Sequence, residues 1–200
     1  LLLEAEDSEE FLTDTIRPYG EFAVPRSSFF QINTEMASKL AAEFLRIVEE
    51  VKPEVFIELY CGCGVFSVLA AEAGVGKVYG VELDPDAVRA ANRNLHEHGL
   101  PHCKFLAGDA VRMLGQLPLQ TKQRPLMLVD PPRTGLERPV IDALSGSAAH
   151  DLVYVSCGPD TLARDLALFR RRGWTVAETG LFDLFPSTAH FESLTWLKRG

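Results

Sequence analysis

Cys157 is the residue best placed to react. It follows the apolar run "DLVYVS" and precedes Gly158, Pro159 and a charged helix start. A thiol kept for packing does better in mid-strand. A thiol delivered by a strand to a loop is open to a reactant, and Gly158 leaves space over it. The helix that Pro159 starts should lower the thiol pKa and favour the thiolate. The alternative, an inert buried cysteine, is common, but the position favours the reactive one. Other strand ends carry acids. Asp130 follows "LMLV" and precedes Pro131 and Pro132, which cannot continue a ladder and so hold the carboxylate at the strand's edge. A stiff loop with a capping Asp is the competing reading. Glu82 ends "KVYGVE", twenty residues after Gly62, the usual offset for an acid that binds ribose hydroxyls. It would otherwise be a solvated helix-cap carboxylate. Asp109 follows "CKFLAG" and has two even readings, an acceptor for an adenine amino group or a helix N-cap.

The stretch "ELYCGCG" (58–64) leads from an apolar run into a helix. Gly62 and Gly64 would let backbone approach a ligand, and a helix N-terminus favours polar or anionic groups. A dinucleotide loop needs a third glycine where Ser67 stands. Tyr60 would crowd a diphosphate but suits a zwitterionic amino-acid tail. With Glu82, these residues point to S-adenosylmethionine, which has such a tail and no phosphates. In the same loop, Cys61 and Cys63 lack His partners, so packing explains them better than a metal.

Positioning these residues takes an alternation of strands and helices. "NTEMASKLAAEFLRIVEEV" has Met36, Leu40, Phe44 and Val48 four apart, an amphipathic helix with Asn33 or Thr34 as N-cap. "VFIELY", "KVYGVE", "CKFLA", "LMLVD" and "DLVYVS" read as strands. "VFSVLAAEAG", "DPDAVRAANRNLHEHG", "DAVRMLGQL", "ERPVIDAL" and "PDTLARDLALFRRRG" read as helices, with Asp84 and Pro85 starting the second and Gly99 stopping it. The tail has no helical period and predicts strands over 174–179 and 190–198. The result is an α/β fold with a mostly parallel sheet, helices on both faces and a C-terminal antiparallel hairpin. Ligands in such sheets bind beyond the C-terminal strand ends. Residues 1–28 lie outside the alternation and are expected to be an extended lead-in, the end of a preceding domain; 29–200 form the catalytic domain.

The 200 residues are 46% hydrophobic and 24% charged, with a formal net charge of −8. That is a globular composition with no apolar run of membrane-spanning length, so no membrane partner is expected. The acidic balance gives no electrostatic support for phosphate contacts. Any nucleic-acid partner must be held by a local patch or by a domain outside this chain. Four cysteines at these spacings suit neither a disulfide scaffold nor a common zinc site, which makes a reducing, cytoplasmic compartment the simplest.

"FFQIN" (29–33), "ELYCGCGVFS" (58–67), "VDPPRTGL" (129–136), "YVSCGPDTLARDL" (154–166) and "DLFPSTAHFESL" (183–194) occur in one order. Together they resemble the RNA (uracil-5-)-methyltransferases, which make 5-methyluridine in tRNA or rRNA. The resemblance implies a Rossmann-like class I S-adenosylmethionine-dependent methyltransferase with a seven-stranded sheet and an RNA substrate. By it, Cys157 matches the nucleophile and Glu192 the general base. Gln31, Tyr60, Glu82 and Asp130 match cofactor-binding positions, and Asp109 lies near the adenine. Two positions depart from the family pattern, Gly158 and Val65, where Asn is common. The 200 residues hold neither the family's oligonucleotide-binding domain nor its iron–sulfur cysteines, so a catalytic domain or fragment is expected.

Uracil C5 is a poor nucleophile, and a thiolate adding at C6 makes C5 reactive. Glu192 would then remove the C5 proton. His190, two residues away, would face the same side of a strand and position Glu192 or touch RNA; a satisfied turn histidine competes. The target base must leave its stack. Phe29, Phe30 or Phe185 could stack on it, though core packing is the safer reading for each. Arg133 would meet a phosphate or an acid. Arg164, Arg170, Arg171 and Arg172 form the densest basic group, for phosphate or for the helix dipole. Three rivals remain. An amino-group methyltransferase would want an aromatic where Arg133 stands and leaves Cys157 idle. A non-catalytic RNA-binding domain would bind cofactor without turnover. An NAD-linked oxidoreductase is disfavoured by the glycine spacing.

Overall fold

The computed structural model describes residues 11–26, 33–117, 125–184 and 191–200. The described chain begins with two strands, β1 (Phe11–Ile16) and β2 (Gly20–Pro25), paired antiparallel. Then come α1 (Thr34–Val51), β3 (Val55–Leu59), α2 (Val65–Glu72), β4 (Lys77–Glu82), α3 (Pro85–Glu97) and β5 (Cys103–Ala107). The second half holds α4 (Ala110–Leu114), β6 (Leu126–Val129), α5 (Arg138–Gly146), β7 (Asp151–Ser156), α6 (Pro159–Arg170), β8 (Trp174–Phe182) and β9 (Glu192–Arg199).

Seven strands form one sheet in the order β5-β4-β3-β6-β7-β9-β8. The first five run parallel, and β9 pairs antiparallel with both β7 and β8. This is the mostly parallel sheet with a C-terminal antiparallel hairpin that the alternation predicts, and the Rossmann-like seven-stranded arrangement that the resemblance implies. The chain steps outward from β3 to β5, then returns to place β6 on the other side of β3. Ligands in open α/β sheets bind at such a reversal.

Side chains of the central strands alternate between two cores, as a pleated strand buried on both faces requires. Phe56, Leu126, Leu128, Val153 and Val155 pack towards α1, α2 and α3. Ile57, Met127, Val129, Leu152 and Tyr154 pack towards α4, α5 and α6. Each fully buried aliphatic side chain contributes roughly 1.5–3 kcal/mol.

Local signals set the helix starts. Asn33 caps α1 by accepting from Met36 N–H, Asp84 caps α3 and Asp109 caps α4. The N-cap reading of Asp109 is therefore realised. β8 runs three residues past the predicted 174–179, because β9 continues to pair with it through Phe182. Of the lead-in, residues 11–25 pair with each other as a hairpin lying on α3. Asn94 of α3, fully buried, accepts from Ala23 N–H at 2.7 Å and donates to the Ala23 carbonyl at 3.1 Å.

Candidate active site

The C-terminal ends of β3, β4, β5, β6 and β7 point the same way and deliver their following residues to one rim. Gly62 has φ +52°, and nothing lies within 4 Å of where its Cβ would be. Its N–H donates to Glu82 Oε2 at 3.0 Å. The other Glu82 oxygen accepts from Leu83 and Asp84 N–H at 2.7 and 3.0 Å. Glu82 thus ties the glycine loop to the β4–α3 turn. Gly64 is glycine for a different reason. A Cβ there would lie 2.3 Å from the Phe105 ring, so packing rather than ligand approach requires its bare backbone. Tyr60 has φ +63°, an uncommon conformation for an aromatic residue. Such strain persists where surrounding structure over-determines it, as at ligand clamps.

Between the β3 and β6 ends lies a cavity of about 130 Å³, lined by Ile16, Leu40, Glu58, Tyr60, Gly62 and Asp130 among others. Glu58 is buried and accepts from the Ser67 hydroxyl. Burial outweighs the Ser67 bonds and, with smaller contributions from the Asp130 and Glu82 charges, pushes its pKa up to about 8. Asp130, partly exposed, is also pushed up to about 8, by burial and by the Glu192 and Glu82 charges. Glu58 was missed as a site residue. Its signal was a lone acid inside the apolar run "VFIEL", which needs a partner or a proton when buried.

This cavity fits an amino-acid tail. Two carboxylates that are costly to ionise alone face it and would gain from an ammonium. At its edge, α2 starts at Gly64, which has no side chain to cap it, so the first-turn N–H groups ahead of Ser67 could meet a carboxylate. Gly62 adds open space beside them.

Cys157 and Glu192 meet through strand register. Ser156 of β7 is paired with Ser193 of β9, and the Ser193 hydroxyl donates to the Ser156 carbonyl at 3.1 Å. One step beyond that pair stand Cys157 on one strand end and Glu192 on the other. Residues opposite each other across an antiparallel pair are about 5 Å apart at Cα and share a face. Cys157 is half-buried and Glu192 is buried.

The expected lowering of the Cys157 pKa is not what the structure gives. Burial and the charges of Glu192 and Asp130 hold the thiol above its ordinary range, against the opposing pull of Arg133. Burial comes first among these causes. Arg133 was expected on a phosphate or an acid; its charge instead acts on the Cys157 thiol, favouring the thiolate.

The structure thus brings together Cys157, Glu192 and Asp130 on one side, and Tyr60, Gly62 and Glu82 on the other, with Asp130 in common. Asp109 sits after β5, its carboxylate accepting from Arg112 N–H at 2.9 Å. Gln31, Phe29, Phe30, Phe185 and His190 lie outside the described residues. Cys61 and Cys63 are buried, with thiols pushed far up by burial, Cys63 to about 12, as loop packing requires. Arg170 and Arg171 are exposed, while Arg164 pairs with Asp165 and Arg172 with Asp142.

The sequence model of the tRNA (uracil-5-)-methyltransferases matches residues 9–200. An uncharacterized RNA methyltransferase of Clostridium acetobutylicum is 34% identical over 192 residues, covering 96% of this chain and 41% of that protein. Another, of Caldanaerobacter subterraneus subsp. tengcongensis, is 36% identical over 194 residues, with 96% and 41% covered. The chain therefore spans about two-fifths of the length of these relatives. The crystal structure of Pyrococcus abyssi tRNA (uracil-54, C5)-methyltransferase in complex with S-adenosyl-L-homocysteine superposes with a TM-score of 0.79 at 28% identity. That match covers 94% of this chain and 44% of that one. By the family match over nearly its whole length, and by the 34–36% identity of these relatives, this chain belongs to the tRNA (uracil-5-)-methyltransferase family.

Proposed function

We propose that this chain is the catalytic part of an enzyme that transfers a methyl group from S-adenosylmethionine to C5 of a uridine in tRNA or rRNA. The observation that carries the reading is the β7–β9 register, whose last pair, Ser156 with Ser193, leaves Cys157 next on one strand end and Glu192 next on the other, near the cleft that Asp130 lines. Family membership supports RNA methylation, and the neighbour from Pyrococcus abyssi acts on a uracil C5.

The cofactor's tail would sit between the α2 N-terminus, Glu58 and Asp130, with Tyr60 and Gly62 beside it and Glu82 towards the ribose. When bound, it supplies an electrophilic methyl group. Cys157 Sγ, as thiolate, adds to uracil C6; the C5–C6 π electrons move towards O4 as an enolate, which makes C5 the nucleophile. The Arg133 charge, acting on the thiol, stabilises its anionic form. Once C5 carries methyl, it also keeps its hydrogen. A Glu192 oxygen takes that proton, the C5–H electrons re-form the C5–C6 double bond, and the C6–S bond breaks to return the thiolate. Covalent addition splits one difficult substitution into easier steps, and the base must reach its proton within about 3 Å or through one water.

Full-length protein incubated with cofactor and 5-fluorouridine-containing RNA is expected to form a stable adduct, because fluorine at C5 leaves Glu192 no proton to take. Cys157→Ala should form none and lose methylation by more than about 10³-fold. Retained C5 methylation in that variant overturns the reading. A methylated exocyclic amine as product would favour the amino-group rival.

A further inference from the structure

A buried polar cluster joins the loop after β6 to α6, and the reaction above does not use it. Asp165, on the second turn of α6, is fully buried. Its Oδ2 accepts from Leu136 N–H and from the Tyr154 hydroxyl, each at 2.8 Å. Its Oδ1 accepts from Arg164 Nε at 2.8 Å. Arg164 Nη2 donates onward to the carbonyls of Thr134 and Leu136, at 3.0 and 3.2 Å. Thr161, a turn earlier, donates to the Arg133 carbonyl at 3.1 Å. At Gly135, with φ +72°, a Cβ would lie 2.6 Å from both Asp165 Oδ2 and Arg164 Nη2. Every loop residue from 133 to 136 is therefore held or closely approached by α6.

A buried carboxylate with its ion pair is a poor source of stability, because desolvation offsets the attraction. Apolar residues could fill this space. What the cluster supplies is a fixed place for a loop whose first residues carry Asp130 and Arg133, against a helix whose start carries Cys157. We propose that Asp165 is a positioning residue, locking residues 133–136 onto α6 so that Arg133 stays beside Cys157. Its catalytic meaning rests on the reading of Cys157 as the nucleophile. The Arg133 backbone lies against the residue after Cys157, since a Cβ at Gly158 would come within 3.3 Å of the Arg133 carbonyl oxygen. The charged groups that act on the thiol are Arg133 from the loop, Asp130 from the end of β6 and Glu192 from β9. Loss of Arg133 from its place leaves the two carboxylates, which oppose ionisation.

The test is the rate of Cys157 alkylation by iodoacetamide against pH in the full-length protein, followed on the Cys157 peptide. Asp165→Asn keeps the volume but removes the charge. It should raise the alkylation midpoint by about one pH unit. It should also lower kcat while the KM for cofactor stays within about twofold. In an Arg133→Ala background, Asp165→Asn should add no further rise, because both act through one contact. An unchanged midpoint, or an equal rise without Arg133, overturns the proposal. If Asp165→Asn does not fold, Tyr154→Phe removes one donor and keeps the ring; it should give a smaller rise in the same direction, and no rise overturns the proposal. If Cys157→Ala retained methylation while Asp165→Asn still moved the alkylation midpoint, the positioning would stand and the nucleophile reading would fall.

Discussion

Glu58 and Asp130 share one small cleft, and each has its pKa pushed up to about 8 by burial and by its acidic neighbours. At pH 6 both are largely protonated; at pH 9 both are largely charged. A cation entering the cleft favours the charged forms, so its binding releases protons near neutral pH and strengthens as pH rises through about 8. S-adenosylmethionine carries a sulfonium charge that S-adenosylhomocysteine lacks, while their tails are alike. The ratio of their affinities therefore isolates that charge. It is expected to shift towards S-adenosylmethionine by about threefold or more between pH 6 and pH 9, a modest Coulomb gain. Titration calorimetry at both pH values checks this, and Asp130→Asn should flatten the change. A ratio independent of pH would mean that the carboxylates do not face the sulfonium.

At the scale of elements, the hairpin of β1 and β2 is fastened to the cofactor loop through one side chain. Asn94 bonds both Ala23 groups and also donates to the Cys63 carbonyl at 2.9 Å. His98 adds a bond to the Glu21 carbonyl at 3.0 Å and one to Glu72 at 2.7 Å. Asn94→Ala leaves buried backbone groups without partners and should cost about 2–4 kcal/mol in urea unfolding. Hydrogen exchange at the Ala23 amide should speed up with it; unchanged protection there would show that the hairpin is held elsewhere. None of this was visible in the sequence, where Asn94 reads as one more polar helix residue. The caps Asp84 and Asp109 were legible because a cap is decided within three residues. The strand ends bearing Cys157, Asp130 and Glu82 were legible because prolines and glycines punctuate them. Glu192 and Arg133 near Cys157 and Phe105 over Gly64 depend on how distant strands register, which local pattern does not encode. The helix-terminus argument for Cys157 failed for the same reason: it counted one element and missed the burial, and then the two carboxylates, that other elements bring.

For the whole molecule, charge and position together decide how the proposed RNA substrate could be held. The net charge is −8, and the rim of the cleft carries Glu82, Asp130 and Glu192. A neutral uracil tolerates such a cleft, while a phosphate is repelled by it. The basic group at the end of α6 is badly placed to compensate. α6 has 12 residues, so its C-terminal end with the exposed Arg170 and Arg171 lies about 18 Å from its start beside Cys157. Under the proposed reaction, the α6 basic group is therefore too far from Cys157 to hold the phosphates flanking a flipped uridine. The relatives are more than twice as long, and we expect their further segments to supply most phosphate contacts. The 200-residue chain alone should bind RNA more weakly than about 10⁻⁵ M at 150 mM salt, with a log–log salt slope shallower than about −3, corresponding to at most about four phosphates on a single strand. Full-length protein should bind more tightly and with a steeper slope. Fluorescence anisotropy at 50, 100 and 200 mM salt measures both. Equal slopes would place the phosphate contacts within residues 1–200, and the acidic rim would then need a basic surface beside it that the present charge distribution does not predict.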